Sequence, residues 1–335
     1  MIDLIIRFAV SLVPVVLFLI TLVYLDSYKL VHVRTLVMAI LVGASAALIC
    51  LSINNEVIHG FGVPRRMSSR YIAPVIEEAL KAVYVAWLIS RRRVGFPVDA
   101  AIAGFAVGTG FALIENTYYL QTLHAMGIMV WVVRGLGTAV MHGGMTAIFA
   151  IVSKSLFDRR DGRGMWWLPG LAVAIVLHSL FNHFILPPVV STLVLHITLP
   201  GIILFAFWRS ERATKEWLGT QMDVDAELLD IINSGSLSTS RIGHYVETMK
   251  KQFTPEMLLD ILCYLRLHVE LAISAKGLLM MREAGFKPAP PAGTQEKFRE
   301  LKHLEKTIGK TGRLAIAPFL HTNSRDLWQI YMLDQ

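Results

Sequence analysis

Seven predominantly apolar stretches of about 20 residues follow one another along the first two thirds of the chain, separated by short polar turns. A helix rises about 1.5 Å per residue, so roughly 20 residues are needed to cross the hydrocarbon core of a bilayer. The predicted spans are 4–25, 33–54, 69–90, 98–120, 134–156, 165–186 and 189–208. The pattern therefore predicts an all-α fold, a polytopic transmembrane helical bundle of about seven spans.

The composition changes after Trp208 from apolar to mixed charge. Within this tail, the segment 254–256 places a threonine N-cap before a proline, which predicts the start of a helix. The proline-rich segment 287–293 cannot continue a helix, and further charged helical sequence follows it. We therefore expect a transmembrane domain at 1–208 and a C-terminal helical cytosolic domain at 209–335.

Composition and charge support a membrane protein and exclude several other classes. Hydrophobic residues make up 54% of the chain and charged residues 17%, which is too apolar for one soluble core. The net charge of +7 comes mostly from short loops beside apolar segments, so it indicates orientation and no nucleic-acid partner. Cys50 and Cys263 are too few and too far apart in sequence for a disulfide framework or a cysteine metal site.

Lysine and arginine are concentrated in the turns at one side of the predicted bundle. These basic turns are 26–34, 91–93, 154–163 and 209–215. The turns 121–130 and 187–188 contain neither residue. Because cytoplasmic loops carry an excess of positive charge, we expect the N-terminus outside and the C-terminus in the cytoplasm. The exception is the external turn 55–68, which carries Arg65 and Arg66.

Three ionisable residues lie in the middle of the third predicted span: Glu77, Glu78 and Lys81. Each costs roughly 2.5–3.5 kcal/mol at the centre of a bilayer on insertion scales, so their presence there favours a functional site over a purely structural ion pair. Lys81 lies one helical turn beyond the glutamates and can pair with either of them. The other carboxylate would then keep its lone pairs for chemistry.

Further polar residues lie inside the predicted spans, and each is expected to face the bundle interior. These residues are Glu115, Asn116, His142, His178 and Asn182. Counted from the membrane boundary shared by three turns, Glu77, His142 and His178 lie at a similar depth, on the order of 12 Å. Glu115 lies slightly nearer to that boundary. The sequence therefore predicts one site in a water-accessible cavity, built from four helices.

These residue types indicate hydrolysis of a peptide bond by an activated water. A carboxylate can take a proton from water, and histidine with asparagine can donate hydrogen bonds to a developing oxyanion. The chain contains neither the H-E-x-x-H motif of zinc proteases nor the G-x-S-x-G motif of serine hydrolases, and its spans lack a pair of aspartates. These absences narrow the choice among protease chemistries.

Three motifs resemble those of the PrsW family of glutamic intramembrane proteases. They are Glu77-Glu78-Ala-Leu-Lys81, Phe111-Ala-Leu-Ile-Glu115-Asn116 and His178-Ser-Leu-Phe-Asn182, and the resemblance covers about 70–210. The superfamily also contains the CAAX prenyl proteases, which usually have F-x-x-x-H as the middle motif. This chain has Glu115 at the last position of that motif, which favours the PrsW-like identity.

With this resemblance we expect a metal-independent glutamic endopeptidase with no cofactor, and each matching residue has an implied role. Glu77 would activate water, and Glu78 would hold Lys81 and support the site. Glu115 would take the role of the last residue in the middle motif. His178 and Asn182 would polarise the scissile carbonyl. His142 is a further candidate catalytic histidine, and Asn116 with Lys81 is supporting. The family also implies a substrate, a single-pass membrane protein such as an anti-sigma factor, and a location in the bacterial cytoplasmic membrane.

Three alternatives remain at the level of the sequence. Glu77, Glu115, His142 and His178 could together ligate a divalent cation, which would make the protein a metal-dependent membrane protease. A CAAX-type prenyl protease is the second alternative. The third is a proton-coupled transporter in which the same residues form a relay, although no inverted repeat is visible in the sequence. The tail contains no catalytic constellation and could bind a cytosolic partner.

Overall fold

The computed structural model describes residues 2–26, 31–122, 126–160, 162–234, 241–250, 252–286 and 288–317. Every regular element within these ranges is helical, which confirms the predicted all-α class. The elements are α1 (Ile2–Leu25), α2 (Val33–His59), α3 (Arg65–Met67), the π-helix π1 (Ser68–Ile72), α4 (Ala73–Ser90), α5 (Pro97–Thr122), α6 (Ile128–Val132), the π-helix π2 (Val133–Ala139), α7 (Val140–Arg159), α8 (Leu168–Asn182), α9 (Pro188–Asn233), α10 (Arg241–Met249), α11 (Pro255–Glu283) and α12 (Thr294–Ile316).

Five helical segments in the described ranges are long and apolar enough to cross a membrane. They are Ile5–Leu25, Val33–His59, Pro97–Thr122, Ile128–Arg159 and Pro188–Asn233. The third and sixth predicted spans are not among these five segments, and each has a physical reason. The third contains α4, which carries three ionisable residues. The sixth contains α8, whose 15 residues extend about 22 Å and are too short to cross the bilayer unaided.

Helices α5 and α7 form the centre of the membrane bundle. In the apolar part of α5, 83% of the residues are buried, whereas the share is 28% in α1 and in α2. The outer helices expose large apolar side chains, including Leu17, Ile20 and Leu41. A surface of this kind is compatible with lipid and not with water, so the chain is an integral membrane protein.

The backbones of α5 and α7 approach each other closely at glycine positions. A methyl group added at Gly108 would overlap the carbonyl oxygen of His142, and one added at Gly104 would overlap the carbonyl oxygen of Thr146. Small residues spaced four apart allow this kind of contact between transmembrane helices. The contact holds His142 of α7 against the helix that carries Glu115.

The chain divides into two compact units, Met1–Glu211 and Arg212–Gln335. The division falls inside α9, which continues without interruption past Trp208, where the sequence composition changes. In the second unit, the predicted helix start is confirmed: the Thr254 side chain caps α11 by accepting a hydrogen bond from the backbone N–H of Met257 at 3.3 Å. A buried ion pair joins Lys276 Nζ to Asp225 Oδ2 at 2.6 Å within this unit.

Candidate active site

A cavity of about 600 Å³ lies in the first unit, among α2, α4, α5, α7, α8 and the two π-helices. The polar residues that line it include Asn54, Arg65, Arg66, Glu77, Glu115, Arg134, His142, His178 and Asn182. Its volume is within the range typical of ligand-binding clefts. The cavity therefore contains five of the six candidate catalytic residues that the sequence predicts.

Glu77 presents a carboxylate to this cavity from α4. The residue is 7% exposed, and its Oε1 accepts a hydrogen bond from Asn54 Nδ2 at 3.2 Å. Its Oε2 lies 3.8 Å from Nε2 of His178, which is too long for a direct hydrogen bond. The amide oxygen of Asn54 is buried and has no hydrogen-bond partner among the described residues. A polar ligand beside Glu77 would satisfy that oxygen.

Glu78 points away from the cavity and forms the buried contact behind His178. Its Oε1 accepts from Lys81 Nζ at 2.6 Å and lies 2.7 Å from Nδ1 of His178. Because an ionised carboxylate only accepts hydrogen bonds, we assign the proton of a neutral His178 to Nδ1. The lone pair on Nε2 then points toward Glu77. Of the two pairings open to Lys81, the structure has the one with Glu78 and leaves Glu77 for the cavity.

His142 connects this pair to Glu115. Its Nδ1 lies 3.2 Å from Lys81 Nζ, and its Nε2 lies 3.2 Å from Glu115 Oε2. An ammonium group can only donate, so Nδ1 accepts and the N–H at Nε2 donates to the carboxylate. The rings of His142 and His178 meet edge to face, with centroids 5.0 Å apart. The two histidines therefore share one buried network.

Arg134 holds the far end of this network from π2. Its Nη2 donates to Glu115 Oε2 at 3.0 Å, and its Nε donates to Asn116 Oδ1 at 3.0 Å. The guanidinium lies 3.9 Å from the centroid of the Tyr119 ring. Asn116 does not line the cavity, and its amide donates to the carbonyl of Ser11 at 2.8 Å. Asn116 therefore contacts Arg134 from behind the cavity, and its supporting role remains a prediction.

Asn182 lines the cavity at the C-terminal end of α8. Its amide nitrogen donates to the carbonyl oxygen of Ser69 in π1 at 2.9 Å. A carboxamide has two N–H groups, so one hydrogen remains for a ligand in the cavity. Both π-helices therefore contribute to the site, and single π-helical turns are frequent at functional sites.

The structure brings the predicted site residues together in one place. Glu77, Glu115, His142, His178 and Asn182 line the cavity, whereas Glu78, Lys81 and Asn116 lie behind it and contact those that do. The structure gives the positions of these side chains, and their catalytic roles remain predictions.

Asn54 and Arg134 line the cavity and form hydrogen bonds with predicted site residues, but the sequence pattern did not indicate them. Asn54 is the last residue of the predicted span 33–54, and Arg134 is the first residue of the predicted span 134–156. The helices extend further than the apolar pattern, since α2 ends at His59 and the helical segment containing π2 begins at Ile128. Spans drawn with these extensions would have placed both residues inside the bundle, near the depth of Glu115.

Three cavity residues could hold a metal ion. Glu77, His142 and His178 each offer a ligand atom, and these atoms all lie within 4.8 Å of one another. Two imidazoles and one carboxylate are a common donor set for zinc and related cations. Glu78 against Nδ1 of His178 supplies the carboxylate–histidine contact that orients metal ligands. Glu115, which the sequence offered as a fourth ligand, is outside this group and bonds Arg134.

Residues 31–208 match a family model described as PrsW family intramembrane metalloprotease. No curated protein and no solved structure matches the chain. The family match covers more than half of the chain and includes all the predicted site residues. It favours a peptidase over the transporter alternative and supports the predicted family resemblance. The chain therefore belongs to the PrsW family of intramembrane proteases and is a membrane-embedded peptidase.

Proposed function

We propose that the protein hydrolyses a peptide bond in or next to the transmembrane segment of a membrane-protein substrate, using a water held by Glu77 and His178. The observation that carries this proposal is the 3.8 Å separation between Glu77 Oε2 and His178 Nε2 at the wall of the cavity. Both atoms are acceptors in the hydrogen-bond network described above. A water can donate one hydrogen to each and direct its own lone pair at a carbonyl carbon.

The glutamic mechanism assigns the proton transfers to Glu77. Its carboxylate takes a proton from the water as the water oxygen bonds to the scissile carbonyl carbon, and the carbonyl oxygen becomes an oxyanion. The remaining amide hydrogen of Asn182, which lines the same cavity, donates to that oxyanion. Glu77 then returns the proton to the leaving nitrogen as the carbon–nitrogen bond breaks. The products are a free carboxyl group and a free amine.

This assignment changes the role that the resemblance implied for His178. A neutral imidazole whose Nδ1–H donates to Glu78 has no hydrogen at Nε2 to offer a carbonyl oxygen. We therefore assign His178 to orienting the water, and we assign the donor function to Asn182. Lys81 Nζ lies 2.6 Å from Glu78 Oε1 and balances the charge of that carboxylate in the buried contact behind His178.

Metal-dependent hydrolysis is a second candidate, favoured by the grouping of Glu77, His142 and His178 and by the description of the matching family as metalloproteases. These three side chains would hold the ion. A divalent cation bound there would supply Lewis acidity and generate a nucleophilic water. His142 already uses both ring nitrogens for Lys81 and Glu115, so it would have to exchange one of these contacts for the ion.

The first test replaces the proposed base. Glu77→Gln in the full chain, reconstituted with a membrane-protein substrate, should abolish cleavage because an amide cannot take the proton. The matched control is Glu56→Gln, since Glu56 is an exposed glutamate of α2 that does not line the cavity. Cleavage by Glu77→Gln at the parental rate would exclude Glu77 from the mechanism.

Chelation separates the two mechanisms. The glutamic proposal expects full activity of the purified protein after treatment with a strong chelator. Loss of activity that zinc or another divalent cation restores would establish the metal-dependent form instead. The metal content of the purified chain gives a readout that does not depend on turnover, because His178→Ala should lower it only if His178 is a ligand.

The finer assignments of substrate and location follow the family and the charge pattern. The substrate is proposed to be a single-pass regulatory protein such as an anti-sigma factor, in the bacterial cytoplasmic membrane. The cavity lining includes His59, Thr122 and Phe184, which lie at the helix ends on the side of the turn 55–68. With the N-terminus outside, we propose that cleavage occurs near the external surface and that the tail lies in the cytosol. Comparing membrane proteomes with parental and Glu77→Gln enzyme would identify the substrate.

A further inference from the structure

Two adjacent arginines, Arg65 and Arg66, line the cavity at its exposed end, and we call this pair the basic rim. They form the start of α3, directly after Pro64, and both side chains are exposed. Within the part of the chain that the structure describes, neither forms an ion pair with a carboxylate. The basic rim therefore presents two cationic groups to whatever enters the cavity.

The other charges of the cavity do not neutralise the basic rim. The carboxylates that line it are Glu77 and Glu115, and Glu115 is bonded to Arg134. Glu77 bonds Asn54 and approaches His178 on the wall of the cavity. The cavity thus has a reactive carboxylate inside and an unneutralised positive charge at its edge. A ligand that complements both parts carries negative charge outside the group that reacts.

The position of the basic rim is unusual for the charge distribution of the membrane domain. Most arginines and lysines of the first unit lie in the turns at the opposite side, where the positive-inside rule predicts cytoplasm. The turns 121–130 and 187–188, on the same side as the rim, carry none. Orientation therefore gives no reason for Arg65 and Arg66, and recognition of a ligand does.

We propose that the basic rim binds an acidic side chain of the substrate, an Asp or Glu in the segment just outside the membrane and a few residues from the bond that is cut. This inference rests on the proposed function, because it places the substrate in the cavity that contains Glu77. Arginine is suited to the task, since its planar fork pairs with a carboxylate through two parallel hydrogen bonds. The basic rim then helps both to position the substrate and to select which substrate is bound.

A polypeptide accounts for the basic rim better than a lipid headgroup. The peptidase must admit a peptide to the cavity that Arg65 and Arg66 line, whereas the reaction places no lipid there. A contact with an acidic substrate residue is made on every turnover. Binding of an anionic lipid by the same arginines is the outcome that the experiment must separate.

The test measures binding without cleavage. The probe is a single-pass model peptide with two neighbouring glutamates just outside its apolar segment, compared with a peptide that has glutamines there. Binding to the full chain carrying Glu77→Gln is followed by energy transfer in phosphatidylcholine vesicles. Two exposed ion pairs, each of 0.2–1 kcal/mol, predict that the glutamate peptide binds roughly 2- to 30-fold more tightly.

The decisive variant is Arg65→Gln/Arg66→Gln, which should remove the preference for the glutamate peptide. Its matched control is Arg159→Gln/Arg160→Gln, an exposed arginine pair at the far end of α7, which should leave the preference unchanged. A reversed pair, Arg65→Glu/Arg66→Glu, should prefer a probe with lysines in place of glutamates. Equal binding of the two probes to the parental rim overturns the proposal.

Two further results distinguish this proposal from its alternatives. If phosphatidylglycerol vesicles abolish the preference, and if anionic lipid co-purifies with the parental chain but not with the rim variant, the rim is a lipid site and the proposal is wrong. Failure of the proposed function would give a different result from failure of the acidic-peptide site. A chain that discriminates the probes but cuts no membrane protein would overturn the peptidase mechanism and leave the acidic-peptide site in place.

Discussion

At the scale of single residues, the site is a continuous buried network whose members fix one another. Lys81 contacts both Glu78 and His142. Glu78 in turn contacts His178, and His142 contacts Glu115. Removing one partner of such a buried charge pair typically costs 3–5 kcal/mol, because the other charge stays buried without compensation. Each side chain is therefore held in one orientation, which is what preorganised catalysis requires.

Arg134 is expected to be a positioning residue that acts through Glu115 and His142. Arg134→Gln should lower kcat by roughly 10- to 100-fold, the order of magnitude seen when hydrogen-bond partners of metal-site ligands are removed. The expected effect on KM is smaller, because the arginine acts on the groups around the reacting bond. Steady-state cleavage of a reconstituted substrate measures both constants.

Three further measurements separate positioning by Arg134 from a general structural role. Arg134→Lys should restore part of the activity, since an ammonium can still pair with Glu115. The pH profile of kcat should shift in Arg134→Gln, because the charge beside Glu115 is removed. Arg159→Gln, at the other end of α7, should change neither constant. A parental pH profile in Arg134→Gln would argue against the role.

In the second unit, burial and the nearby Lys276 ammonium lower the pKa of His268 from 6.5 to about 4. Between these values the unfolded chain binds more protons than the folded chain, so stability falls as pH decreases through this interval and is fully present above pH 6.5. At pH 5 the loss should be about 2 kcal/mol relative to neutral pH. Hydrogen exchange of α11 amides in the full chain measures it.

His268→Phe should remove this pH-dependent loss, because phenylalanine fills a similar space beside Tyr264 and cannot take up a proton. His303→Gln is the control, since His303 is exposed on α12. The change in hydrogen exchange between neutral pH and pH 5 is compared in His268→Phe and in the parental chain. Equal changes in both would show that His268 does not cause the pH-dependent loss of stability.

At the scale of elements, the contact between α5 and α7 determines where the site forms. It depends on Gly108, where the backbones meet beside His142. Gly108→Ala should push the helices apart and lower stability by about 1–3 kcal/mol, the usual cost of overpacking a close contact. Cleavage should fall as well, because His142 moves relative to Glu115.

The control for Gly108 is Gly201→Ala. Gly201 lies in α9 with open space around its Cα, so the substitution should be neutral or slightly stabilising through its helix propensity. Thermal unfolding in detergent and cleavage of one substrate compare the two variants. Equal unfolding temperatures for Gly108→Ala and Gly201→Ala would show that the α5–α7 contact tolerates a methyl group.

At the scale of the whole molecule, the charge pattern predicts which side of the membrane each turn occupies. Phe61 and Met165 are matched probes, since both are exposed and lie in turns expected on opposite sides. In a chain with both native cysteines replaced, Phe61→Cys should react with a membrane-impermeant maleimide on intact cells. Met165→Cys should react only after permeabilisation. The reverse pattern would invert the proposed orientation and place the cavity toward the cytoplasm.

The sequence alone determined the class of the protein and most of the site. Long apolar stretches must form helices in lipid because no water is present there to satisfy the backbone, so the all-α class follows from composition and length. The cost of burying charge in the membrane singled out Glu77, Glu78 and Lys81. Helical spacing then gave the possible pairs, and depth gave the common level of Glu115, His142 and His178.

Only the tertiary structure decided which of these possibilities is realised. Spacing allows Lys81 to pair with either glutamate, and the choice of Glu78 depends on His178, which approaches from a helix distant in sequence. The contributions of Asn54 and Arg134 depend on helix ends that extend beyond the apolar pattern. Sequence periodicity describes one helix at a time, whereas the cavity and its hydrogen bonds arise between helices, where side chains from separate spans meet.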